Sequence, residues 1–163
     1  MQKHWSKVIS VFYVLAYMVK DSDPDGMDLL YTVSLERQKS KKPDRLRQHL
    51  NAKACGGRTD ITLRLSIILH EYATALQEQA TPRRFLGSFL KKKEVRPMSL
   101  YIFTDAVWQP RCNAAAPIKL LIKKLDELGL PDHQVGIQFI RFGQNQESID
   151  RLEYLDSGLE LSR

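Results

Sequence analysis

Two short segments hold the residues of this chain that could act together on chemistry. Gly56-Gly57-Arg58-Thr59-Asp60 is a glycine-rich turn that hands a threonine hydroxyl to the start of a long helix. Leu100-Tyr101-Ile102-Phe103-Thr104-Asp105 is an apolar, β-rich run that ends abruptly in Thr-Asp. A buried parallel strand delivers a carboxylate to the edge of its sheet in this way. Ligand sites of parallel α/β sheets gather at such strand ends and helix starts. A hydroxyl and a carboxylate are hard oxygen donors, so Thr59 and Asp105 read as half of a divalent-cation site. Each has a plainer reading. Thr59 can cap the helix through its hydroxyl, and Asp105 can be a loop carboxylate taking backbone hydrogen bonds.

Other residue types that could carry chemistry lack the spacing for it. His4, His49, His70 and His133 share no metal-ligand interval, and His70-Glu71 lacks the second histidine of a zinc-protease helix. There is no Gly-x-Ser-x-Gly elbow and no phosphate loop. Asp21-Ser22-Asp23-Pro24-Asp25-Gly26 matches the start of a calcium loop, but the glutamate that should close it is Thr32. A polar turn with Gly26 at positive φ is the better reading. Two cysteines, Cys55 and Cys112, cannot form a metal knuckle alone. They suit a reducing compartment, which makes an intracellular, cytoplasmic protein the expectation. A single disulfide stays open, as does reactivity of Cys112 beside Arg111.

The elements that must position these residues alternate along the chain. The apolar run Val8 to Val19 is too short to span a membrane, and Val8, Phe12, Leu15 and Val19 recur at helical spacing. An amphipathic, largely buried helix is predicted over Ser6–Lys20. A strand follows over Met27–Val33, then a polar turn or edge over Glu36–Lys42, and a short helix over Pro43–Lys53. Ile61, Leu65, Ile68, Leu69, Tyr72 and Leu76 mark one face of a helix over Asp60–Gln79. Further strands are predicted at Leu100–Thr104 and Gln134–Phe142. Helices are predicted over Pro117–Leu128, capped from Asn113 and stopped by Gly129 and Pro131, and over Asn145–Leu155. This alternation is that of one α/β domain over 1–163, with a parallel-dominated sheet. A hydrophobic fraction of 43% supplies the core of such a domain, and the net charge of +6 permits anionic partners without requiring them. Thr81 to Pro97 concentrates that charge in six lysines and arginines with Phe85, Leu86, Phe89 and Leu90 between them. It reads as a solvated excursion anchored by its apolar residues; docking on a membrane surface, an acidic partner or phosphates are the alternatives.

Taken together, Lys20 through Leu29, Gly56 through Ile61, Leu100 through Pro110 and Val135 through Gly143 resemble the corresponding segments of a von Willebrand factor A-type domain of the kind found in large fungal proteins. The resemblance covers nearly the whole chain and rests on the order and spacing of the segments. It implies a doubly wound, mainly parallel sheet with helices on both faces, Rossmann-like in build. It implies a noncatalytic protein–protein interaction module working through a metal-ion-dependent adhesion site. In that family Mg²⁺ or Mn²⁺ is held by an Asp-x-Ser-x-Ser loop after the first strand, a threonine from a second loop and an aspartate after a later strand. Thr59 matches the threonine and Asp105 the late aspartate, while Ala106 replaces the glycine that usually follows. The first strand and its Asp-x-Ser-x-Ser loop would fall ahead of Met1. The expectation is therefore an N-terminally truncated domain with an incomplete metal site, no cation bound, and strand edges open to self-association. The partner is expected to be a protein, with no nucleic acid. The competing function is a hydrolase-like or phosphotransfer α/β enzyme using Asp105 at the strand end.

Overall fold

The computed structural model describes residues 1–22, 24–56, 60–81 and 94–159. Among the described residues five α-helices and four strands follow one another as α1 (Trp5–Val19), β1 (Met27–Leu30), β2 (Arg37–Ser40), α2 (Pro43–Asn51), α3 (Ile61–Ala80), β3 (Met98–Thr104), α4 (Ala115–Glu127), β4 (Val135–Arg141) and α5 (Gln146–Ser157). The class is mixed α/β, as the alternation implies.

The strands do not join into one sheet. β3 and β4 pair in parallel, in register from Met98 opposite Val135 to Thr104 opposite Arg141. β1 pairs instead with β2, antiparallel, with Met27 opposite Ser40 and Leu30 opposite Arg37. The expected parallel sheet containing Met27–Val33 is thus corrected: that segment gives a four-residue strand in a separate ribbon. Its partner lies in the stretch read as a polar turn or edge. Apolar periodicity specifies which face of a strand is buried, not which strand lies beside it. Here the polar β2 is held by the ladder itself and by the Arg37 guanidinium, which grips Asp28 with two bonds of 3.0 and 2.9 Å.

Local signals explain the helix boundaries. Pro43 opens α2 at a position that needs no amide hydrogen. Asp60 caps α3, its carboxylate accepting the Leu63 amide at 2.9 Å. Asn145 caps α5 through the Ser148 amide. Ala114 is the cap residue of α4, with the Asn113 side chain accepting from Ala115 at 3.0 Å. Gly129, at φ +63°, ends that helix while the Leu130 amide returns to the Leu125 carbonyl. Gly26 holds φ +87° where the chain enters β1, and a methyl group there would stand 2.9 Å from the Ser40 backbone.

Three apolar clusters form the core. Leu29, Leu46 and Leu50 join the ribbon to α2, with Trp5, Ile9 and Phe12 of α1 against them. Leu69 and Leu76 of α3 meet Ile118, Leu121 and Leu125 of α4 over the start of β3. Ile61 and Leu65 meet Ile102, Ala106 and Trp108 over its end. Helix α3 therefore runs antiparallel to β3 and covers the face that carries Leu100 and Ile102. The other face carries Phe103, whose ring meets Phe12 of α1 at 6.0 Å. Helices thus lie on both faces of β3. The largely buried helix expected near the amino terminus is corrected in one respect: only Val8 and Ala16 of α1 are buried, and Val14, Tyr17 and Met18 are exposed. Among the described residues no helix is long and apolar enough to cross a membrane.

Candidate functional site

The loop after β3 is built on Thr104. Its hydroxyl, almost fully buried, accepts the Ala106 amide at 2.9 Å and the Trp108 indole N–H at 3.0 Å. Those two bonds fold the loop back over the strand end. Ala106 is completely buried and holds φ +52°, a left-handed conformation that a residue with a β-carbon adopts at a cost of about 1–2 kcal/mol. The Ala106 carbonyl accepts from Arg151 of α5 at 2.6 Å. The same guanidinium lies over the Trp108 ring at 5.3 Å and pairs with Glu147 at 2.7 Å. Trp108 is a packing residue, set against Phe139 and Arg151.

This scaffold leaves Asp105 at the carboxyl end of the parallel pair, partly exposed. Its carboxylate takes the α-ammonium of Met1 and, more weakly, the amide of Val107 at 3.3 Å. Among the described residues no hydroxyl, thiol or imidazole hydrogen-bonds to it. Thr59, the other candidate ligand, lies outside the described residues, as do Asp23 of the turn before β1 and residues 82–93 of the basic segment. Its neighbour Asp60 does the capping that Thr59 was expected to do. The start of α3 does approach the loop that follows Asp105. Thr62 accepts the Asn113 amide at 2.6 Å, and Cys112 Sγ lies 3.7 Å from the Asp60 carboxylate. Cys55 and Cys112 are not joined to each other, so the disulfide left open by the sequence is not formed.

Mg²⁺ requires near-octahedral oxygen ligands. Of the two candidates, Asp105 alone lies among the described residues, and its carboxylate takes the Met1 ammonium. Among the described residues no three histidine, cysteine, aspartate or glutamate side chains come together.

Sequence reasoning missed Thr104 and Arg151. Thr104 was visible as the last residue of an apolar strand. A hydroxyl there has no solvent to bond and must serve the loop. Arg151 carried only the weaker signal of a Glu147–Arg151 pair one helical turn apart, and its reach to Ala106 depends on tertiary packing. No family model, curated protein or solved structure matches the chain.

Proposed function

We propose that this chain is a noncatalytic protein-interaction module of the von Willebrand A type. On this reading it is a doubly wound α/β domain with an incomplete metal-ion-dependent adhesion site, and it meets its protein partner at the loop after β3. The observation that carries the reading is the construction of that loop. A parallel pair with helices on both faces ends in a carboxylate, and buried bonds from Thr104 and Arg151 hold the backbone around it. Two residues on, Val107 is 63% exposed although it is apolar. A fixed loop offering a carboxylate and an apolar contact suits recognition. General acid–base chemistry would ask for a proton-transfer partner within reach of Asp105.

Photo-crosslinking tests this. A photoreactive residue at Val107 should give a discrete protein adduct in extracts of the source cells, and Asp105→Ala should abolish it. The same probe at Leu120, exposed on α4, should give none. Equal labelling from both positions would overturn the reading. So would hydrolysis of aryl esters or phosphates that is lost in Asp105→Asn.

A further inference from the structure

A groove of about 2140 Å³ lies between the β1–β2 ribbon and β3. Small-molecule sites run to about 1,000 Å³, so this volume suits a polypeptide segment better. The groove exists because two strand edges face it. Among the described residues β3 is hydrogen-bonded to β4 alone, on one side, and β1 to β2 alone, on one side. A seven-residue strand with a free edge offers a row of amide and carbonyl groups about 23 Å long.

The walls define what can enter. Phe12 and Leu15 of α1 line one side, and Ile68 and Ala75 of α3 the other. These helices lie over opposite faces of β3, so a strand laid along its edge would be covered on both faces. Strands covered on both faces are apolar throughout, without the polar alternation of half-exposed ones. Polar atoms in the lining point to an occupant as well. Arg64 is only 8% exposed, yet its Nε has no hydrogen-bond partner among the described residues. The Tyr31 hydroxyl and the Ser34 hydroxyl lining the groove are also buried and unpartnered among those residues. Buried polar groups are normally hydrogen-bonded, and a peptide backbone supplies acceptors and donors for all three.

We propose that this groove is a strand-acceptor site, taking an extended apolar segment of about seven residues from a partner protein, added edge-on to β3. The proposal rests on the interaction-module reading and specifies what such a module would hold. Main-chain hydrogen bonds to the β3 edge give the affinity, and the two apolar walls select the side chains.

The probe is a serine- and asparagine-flanked peptide with a seven-residue Val/Ile/Leu centre, titrated against the full chain by calorimetry and hydrogen exchange. One-to-one binding is expected, with slowed exchange of β3 amides. Three further peptides isolate the mechanism without any change to the protein. N-methylation of every second backbone nitrogen, made in both phases, should weaken binding tenfold or more in at least one phase. Replacement of alternate apolar residues by lysine should do the same. Equal affinity for all four peptides would overturn the proposal, as would no binding, binding without protection of β3, or a second copy of the chain in the groove that the peptide does not displace. Failure here with the Val107 adduct intact removes the groove and leaves the module reading standing. Success here without that adduct would remove the loop after β3 as the partner contact and leave the groove.

Discussion

Thr104 concentrates more structural consequence than any charged residue near it. One hydroxyl serves two buried donors, the Ala106 amide and the Trp108 indole. A valine at this position keeps the shape and orphans both donors, and each unsatisfied buried group costs about 1–3 kcal/mol. Thr104→Val should therefore lower the unfolding free energy by at least about 2 kcal/mol, read from tryptophan fluorescence in a denaturant titration, while Thr104→Ser should recover most of the loss. Ala106 adds a conformational test. Ala106→Gly should stay within about 1 kcal/mol of the parent, because relief of the left-handed backbone offsets the lost methyl burial. A β-branched residue there is a backbone outlier. Glu36 provides a pH handle. The Lys53 ammonium that hydrogen-bonds it, with Gln38 assisting, holds its carboxyl below the ordinary value. That stabilisation is present above the unfolded glutamate value of about 4.3 and is lost as pH falls through the lower folded value. A melting-temperature difference between the parent and Glu36→Gln should thus be visible at pH 7 and vanish in strong acid. A difference that persists there would mean that the pair is not its source.

The elements differed in how openly the sequence announced them. Helices α3 and α4 were legible because their apolar residues repeat with a helical period and their ends carry chemistry: Asp60 and Asn113 at the starts, Gly129 at a stop. β3 and β4 were legible as apolar runs. What the sequence withheld was pairing. Met27–Leu30 looks like a strand of the main sheet, yet its hydrogen bonds go to Arg37–Ser40, a segment with no apolar residue at all. Backbone groups set that ladder, and no side-chain period encodes it. The candidate site was legible at Asp105 for the same reason as β3, and obscure at Thr104 and Arg151, whose roles are made by distant residues. The one-sided pairing of β3 has a direct signature. Successive amides of a strand point to opposite edges, so alternate residues donate to β4 and the others face the groove. Hydrogen exchange along Met98–Thr104 should alternate between slow and fast amides, with the fast set protected when the groove is filled. Uniform protection in the isolated chain would show that the second edge is already paired.

At the scale of the molecule, the groove separates two bodies of side chains. The ribbon, α1 and α2 share one apolar cluster, while α3, α4, β3 and β4 share the other two. Between them run the Phe12–Phe103 ring contact, the Met1–Asp105 ion pair, and two longer ion pairs, Arg37–Glu71 at 4.0 Å and Arg96–Asp25 at 3.8 Å. Surface pairs of that kind add little. A protein so divided should be marginally stable alone and should associate through its free strand edges as concentration rises. A segment that fills the groove binds the folded state and not the unfolded one, so it should stabilise by about 2.7 kcal/mol at a hundredfold excess over Kd. For a chain of this length that corresponds to a rise of roughly 5–10 °C in melting temperature. The geometry also says how such a segment could be tethered. Met1 lies beside Asp105 at the carboxyl end of β3, so a strand fused ahead of Met1 would enter the groove parallel to β3 and lead straight into α1. Raising the effective concentration in this way should give at least the stabilisation of saturating free peptide. Thermal unfolding and size-exclusion chromatography over a concentration series compare the chain alone, with peptide, and with the fused strand. The expected order of melting temperature is alone, then peptide, then fusion, with association suppressed in the last two. A chain that is monomeric at every concentration and gains nothing from either addition would show that its strand edges need no partner.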